Sequence, residues 1–411
     1  MFKLYVCPDQ AVCFASQAKP PVIVMNMNHI GLGIIRNFRD TDFHLLGVAK
    51  QNNFVCKSKY LSAVIEINIE NEPDCLLLTI LEIGKKLSEK GFIIPTSEVE
   101  LMFLISNAEI LSAYYHLSIP KKENFLKAAD KYLFYRELMR HSLNAPATFL
   151  LESADSVKAI QGKMQFPCIL KPVFSGDWKT GKSYDVVGEH KAIVISDEQE
   201  MEKYYSLVSV LNPRVLLQEI VHAEDGETYS FCSYSECSGK VLWGFVTQKL
   251  LQYPENFGTA LLCQTVQSPE IYDLGVQVVE KLGIDGICEV EIMREAGSGK
   301  LFVIEVNTRH WQQHILSLPL CLNITLLDYY YRTGQMNMVN SLLAGDDNKS
   351  KSAIWIDDTG YLLHCLKNVL SPGKCRFAYV TGKKKIFSTF SLKDIHPFLH
   401  LLKHKILSFF Q

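Results

Sequence analysis

From Ile287 the chain reads ICEVEIMREAGSGKLFVIEVNTRHW, two apolar-rich runs of strand type joined by a Gly-Ser-Gly turn. A three-residue loop at Gly297, Ser298 and Gly299 sets Ala296 opposite Lys300, and the register follows by subtraction. Glu291 then falls opposite Glu305, and Glu289 opposite Asn307. Strand side chains alternate, so these four polar groups share one face while Val290, Ile292, Ile304 and Val306 turn to the other, which reads as core. Like charges directly across a ladder destabilise it, so three glutamates on one face need an explanation. Two remain open. The face is a solvated surface, or a hard divalent cation such as Mg²⁺ takes oxygen ligands from it and keeps other positions for water and phosphate oxygens. Arg309, two residues beyond Asn307, adds a planar positive fork on the same side for an anion.

The rest of the composition narrows the class. A chain of 411 residues is long enough for two or three domains. With 48% hydrophobic and 21% charged residues it is far from the composition of disordered chains. A formal net charge of -2 supplies no basic footprint for nucleic acid, which points to small-molecule chemistry. Twelve cysteines lie scattered without a CxxC or a zinc spacing, several in apolar runs such as FPCILKP, as expected of reduced thiols in the cytoplasm. No apolar run is long enough for a transmembrane segment, and MFKLYVCPDQ lacks the pattern of a signal peptide.

Three parts are expected: an open α/β domain over 1–120, a two-lobed α+β domain over 121–345 and a small α+β segment over 346–411. The first opens as βαβ, with strands at Val22 to Met25 and Phe43 to Val48. Gly31 and Gly33 are only part of a dinucleotide fingerprint, since the third glycine and the closing acidic residue are missing. A helix is expected from Asp74 to a glycine stop at Gly91, then the strand FIIP and a helix from Val99. The stretch FLKAADKYLFYRELMRHSLNAPAT reads as a helix ending near His141 followed by an extended segment. Lys171 ends the apolar strand FPCILKP, where its charge must reach solvent or an anion. The run SGDWKTGK suits a mobile loop whose amides close over phosphate. Ser268 to Leu282 is a helix stopped at Gly283. The tail holds the strand-like runs SAIWI and RFAYV and ends in a basic amphipathic helix, KDIHPFLHLLKHKILSFFQ. That helix either docks on its own chain or meets a partner or anionic lipid.

The run IEVNTR, with an acidic strand fourteen residues before it, resembles the metal-binding signature of the ATP-grasp superfamily. The resemblance extends over most of the chain and is strongest from Lys131 to Trp311. It implies a pre-ATP-grasp α/β domain followed by an ATP-grasp domain, with ATP and Mg²⁺ as cofactors. Glu291, Glu305 and Asn307 become Mg²⁺ ligands, with Arg309 near phosphate or a substrate carboxylate. Lys131, ahead of the APAT segment, and Lys171 become phosphate ligands, with Ser175 and Gly176 in the closing loop. That loop departs from the family in having fewer glycines and a tryptophan, Trp178, which caps the nucleotide or packs the loop. Backbone groups around Gln218, Glu219, Ile220 and Val221 take the adenine edge, and Glu227, eight positions past Glu219, takes the ribose hydroxyls. Lys249 with the FGT that follows is similar to the carboxylate-amine ligase branch related to D-aspartate ligase, which assigns Lys249 to the γ-phosphate. Tyr253, Thr259, His310, Trp311 and His314 fall where that family places substrate-facing groups.

The implied reaction turns a carboxylate into an acylphosphate, which an amine attacks to give an amide with release of ADP and phosphate. Its partners are then a small-molecule carboxylate and an amine. A bicarbonate-using carboxylase and a nucleotide-binding regulator without turnover are the alternatives. Neither the acid nor the amine is named by the sequence. Oligomeric state is equally open, a homo-oligomer included.

Overall fold

A computed structural model describes residues 5–6, 20–50, 52–174, 176–178, 187, 192–210, 212–255, 258–345, 352–368, 372–376, 380–381 and 383–409. The first sheet has strands β1 (Tyr5–Val6), β2 (Val22–Met25), β3 (Leu45–Ala49), β4 (Ala63–Glu66), β5 (Gly91–Ile94) and β6 (Tyr115–Leu117), in the order β1-β4-β3-β2-β5-β6. Every pairing is parallel. Helices such as His29–Asn37, Pro73–Gly84 and Glu98–Ser106 cover the faces, which is why VIVM and LLGVA are apolar throughout rather than alternating. This is the expected open α/β domain. Gly91 is not a helix stop: the helix ends at Gly84 and Gly91 opens β5. A side chain at Gly91 would lie 2.8 Å from the Tyr115 ring, so packing selects the glycine.

A four-stranded antiparallel sheet follows, β7 (Thr148–Leu151), β8 (Cys168–Pro172), β9 (Ile193–Ile195) and β10 (Val215–Glu219), in the order β7-β10-β8-β9. The helix expected to run to His141 is two helices, Lys122–Ala129 and Lys131–Arg140. Asp130 breaks the run with extended backbone, and its carboxylate caps the second helix by accepting the Leu133 N–H at 3.0 Å. Lys131 therefore starts a helix instead of lying within one.

The third sheet comprises β11 (Thr228–Ser235), β12 (Val241–Tyr253), β13 (Thr259–Val266), β14 (Gly286–Arg294), β15 (Leu301–Asn307), β16 (Ala353–Ile356) and β17 (Lys384–Phe387), in the order β15-β14-β11-β12-β13-β16-β17. The tail joins this sheet: β16 pairs antiparallel with β13, and β17 extends the edge in parallel. RFAYV falls mostly outside the described residues. The final helix, His396–Phe409, packs on the first domain, where the ring of His400 meets the Asn52 carbonyl at 3.3 Å. Asp394, just before it, is buried against Arg36 at 3.2 Å, the Ser58 hydroxyl at 2.8 Å and the Lys59 amide at 2.8 Å. No described helix is long and apolar enough to cross a membrane.

Candidate active site

The acidic hairpin has its expected pairs, Glu289 opposite Asn307 and Glu291 opposite Glu305, by a different route. The Glu295 amide donates to the Lys300 carbonyl at 2.8 Å and the Gly299 amide to the Glu295 carbonyl at 2.9 Å, so the loop holds four residues, not three. A bulge after Glu291 then sets Ile292 opposite Val303 and leaves Ile304 out of the ladder. The two one-residue departures cancel at the glutamates. They do not cancel at the core. Val303 is buried with Val290, Ile292 and Val306, whereas Ile304, expected there, lines a cleft.

That cleft, about 1380 Å³, draws its walls from the second and third sheets and from helices of the first domain. Lys131, Lys171 and Lys249 reach it from a helix start, β8 and β12, and Glu289, Glu291, Glu305, Asn307 and Arg309 form the facing wall. Lys131 Nζ lies 3.3 Å from Glu305, and Lys249 Nζ lies 3.7 Å from Glu291. The like charges across the ladder are thus compensated first by two lysines. Glu289 is less well compensated: burial and the neighbouring Glu291 carboxylate push its pKa up to about 7. Burial would lower Lys249, but Glu291 and Glu289 outweigh it and hold its pKa above the usual lysine range. Lys171 is deeply buried; desolvation and the adjacent Lys131 bring its pKa down to about 7, against the pull of Glu305.

Asn307 donates to Glu289 at 3.2 Å and accepts from Arg309 at 3.1 Å. Arg309 Nε is buried without a partner among the described residues. Among those residues no three His, Cys, Asp or Glu side chains form a metal cage of their own. A cation here would be held by Glu291, Glu305 and Asn307 with oxygens from outside the protein completing its shell, as Mg²⁺ beside phosphates prefers. The donor set fits: hard oxygens on one wall, and on the other Lys171 and Lys131, whose mutual repulsion an anion would relieve.

Gly176, Gln218, Glu219, Ile220 and Val221 also line the cleft. Glu219, at the end of β10, pairs with Ala147 both ways, its amide donating to the carbonyl at 2.9 Å and its carboxylate accepting from the amide at 3.0 Å. Ser175 lies outside the described residues, and Trp178 packs in the core of the four-stranded sheet and also lines the cleft.

Glu227, His310, His314 and Tyr253 are not among the residues that line the cleft. Glu227 does not line the cleft: its carboxylate binds Arg294 at 3.1 Å and the Tyr229 hydroxyl at 3.1 Å, while Thr228 and Ser230 line it. His310 and His314 are fully buried away from the lining. His310 meets the Thr325 hydroxyl at 3.0 Å, and His314 meets the Trp311 carbonyl at 2.7 Å and packs on Gly33 of the first domain. Burial lowers the pKa of both, that of His314 to about 4. Tyr253 is half exposed and stacks near Lys367. Thr259 and Trp311 do line the cleft.

Residues 128–311 match the family model of an ATP-grasp domain. This stretch has the fold of an ATP-grasp domain. No curated protein matches its sequence. Among solved structures, biotin carboxylase from Campylobacter jejuni aligns with a TM-score of 0.60 at 15% identity, over 76% of this chain and 71% of that one. N5-carboxyaminoimidazole synthetase from Staphylococcus aureus aligns at 0.58 and 11% identity, over 77% and 78%. L-amino acid ligase from Bacillus licheniformis aligns at 0.57 and 15% identity, over 76% and 73%. The ATP-grasp domain does not close its cleft alone. Ser97 and Val99 reach the lining from the first domain, and His364, Lys374 and Arg376 from the tail. Sequence reasoning missed all five, since nothing local marks a residue whose role is set by docking.

Proposed function

We propose that the chain is an ATP-dependent ligase that activates a carboxylate as an acylphosphate and joins it to an amine, releasing ADP and phosphate. The observation that carries this is the convergence of three lysines, from separate elements, on the Glu291–Glu305 pair in one cleft. ATP supplies the phosphoryl group; Glu291, Glu305 and Asn307 would hold Mg²⁺, which would neutralise charge on the phosphates. Lys171 and Lys131 bind phosphate oxygens. Lys249, kept charged by its glutamates, faces the transferring group. Arg309, whose Nε has no partner among the described residues, offers its positive charge to a carboxylate. The backbone from Gln218 to Val221 holds the base, and Thr259 and Trp311 contact substrate. The walls contributed by the first domain and the tail exclude water, which would otherwise consume the acylphosphate.

The buried Cys168, Cys232, Cys263 and Cys288 are free thiols, in keeping with a reducing cytoplasm. Likeness in fold to biotin carboxylase and N5-carboxyaminoimidazole synthetase favours a second reading, in which bicarbonate is the acid. The test is release of ADP and phosphate from MgATP with pooled carboxylic acids and amines, with and without bicarbonate. Release needing an acid and an amine supports the ligase, and release needing bicarbonate supports the second reading. Nucleotide binding with no release under any mixture would overturn both.

A further inference from the structure

We infer that Tyr135 is a positioning residue for the phosphate site, holding Lys171 and the β15 bulge in fixed relation. Tyr135 lies on the helix Lys131–Arg140, one turn after Lys131, so its side chain leaves the same helix face. It is 2% exposed. Its hydroxyl donates to the carbonyl of Ile304, the residue that the bulge leaves out of the ladder, at 2.5 Å. With its single proton committed there, the phenol oxygen can only accept toward any other group, and it accepts from Lys171 Nζ at 2.9 Å. The Lys171 ammonium also stands 4.8 Å from the ring centroid.

One buried phenol thus joins three cleft elements. Lys131 shares its helix, Lys171 donates to its oxygen, and Glu305 follows the carbonyl that it caps. Of the three N–H groups of Lys171, the phenol directs one and leaves two for an anion in the cleft. The charged groups facing Lys171 are Lys131 and Glu305, and burial and Lys131 both work against its charge. The acceptor oxygen and the ring face favour the charged form in a place where an ammonium is otherwise costly. Nothing in the sequence singles out Tyr135, because the bulge that gives it a partner is not visible in the spacing.

This inference rests on the nucleotide reading of the cleft, and its test separates the two. Binding of MgADP is measured by calorimetry and of adenosine by ligand-observed NMR, on wild type, Tyr135→Phe and Phe134→Leu. Phe134 is a buried neighbour on the same helix and serves as the packing control. In Tyr135→Phe, MgADP affinity is expected to fall about 10- to 100-fold, as for loss of a hydrogen bond to a charged group, with adenosine affinity within about 2-fold. Phe134→Leu lowers the melting temperature without separating the two ligands. Equal loss of adenosine and MgADP in Tyr135→Phe, or no loss of either, overturns the positioning role alone. Wild type that binds neither ligand overturns the nucleotide reading, and this inference with it. Should Tyr135→Phe fail to fold, wild-type Lys171 is titrated by pH-dependent acylation read by mass spectrometry, with Tyr135→His as second variant. Unchanged Lys171 reactivity in Tyr135→His then overturns the proposal, and altered reactivity supports it.

Discussion

Lys171 is the residue at which stability and binding pull apart. Its pKa is about 7 in the fold against 10.5 when free, so between those values the unfolded chain holds a proton that the folded one has released. Stability from this group therefore rises with pH over that window, and below pH 7 the full burial penalty is present. Lys171→Met should raise ligand-free stability at pH 6 by about 1–3 kcal/mol, with a smaller gain at pH 9, and should abolish stabilisation by MgADP. Denaturant melts at the two pH values check the first part, and a nucleotide-induced shift in melting temperature checks the second. Glu305→Gln should leave the fold intact and lower turnover at least ~100-fold, as expected of a lost charge partner at the reacting centre. A variant with an unchanged rate would remove Glu305 from the metal site. Lys131 and Lys249 were reached only through the family resemblance, but Lys171 and the acidic face were legible in the sequence because a charge at the end of an apolar strand, or opposite a like charge, is anomalous without a partner. Glu227 was not. Both faces of β11 are covered, so no alternation of apolar and polar residues marks which side meets the cleft.

At the scale of elements, the acidic hairpin shows how a register can be right for the wrong reason. Counting from the glycines assumed a three-residue loop; the chain spends a fourth residue in the turn and recovers it at the bulge. The consequence is measurable. Val303→Ala should cost ~2 kcal/mol because it opens a void in a close-packed core, whereas Ile304→Ala, at the cleft wall, should cost less than half as much. Urea midpoints of the two variants decide it, and the reverse ranking would restore the uninterrupted ladder. The break at Asp130 has the same origin. Apolar spacing ran on through Ala128, Ala129 and Phe134, and only the ability of an aspartate to cap a helix argued for a stop.

At the scale of the molecule, the tail completes the large sheet and also grips the first domain. Arg36 and Asp394 form a mostly buried ion pair, 11% and 0% exposed in their side chains, and removing one partner leaves the other charge stranded. Arg36→Met is expected to lower stability by ~3 kcal/mol, and limited proteolysis should then release the segment from residue 352 onward. A truncation after residue 345 should aggregate, because it uncovers the long edge of β13. Soluble, nucleotide-binding protein from that truncation would show the tail to be separable after all. The division at residue 346 read from the sequence followed a run of charged and small residues, and such a run marks a connection without saying where the chain goes next.

The grip between Arg36 and Asp394 joins residues 358 apart. During synthesis at about 5–20 residues per second, the first sheet is complete many seconds before its last partner leaves the ribosome. Until then a guanidinium meant for the interior stands in water, and the cleft lacks one of its walls. The buried pair therefore forms only after the segment that carries Asp394 has been made, long after the strands around Arg36.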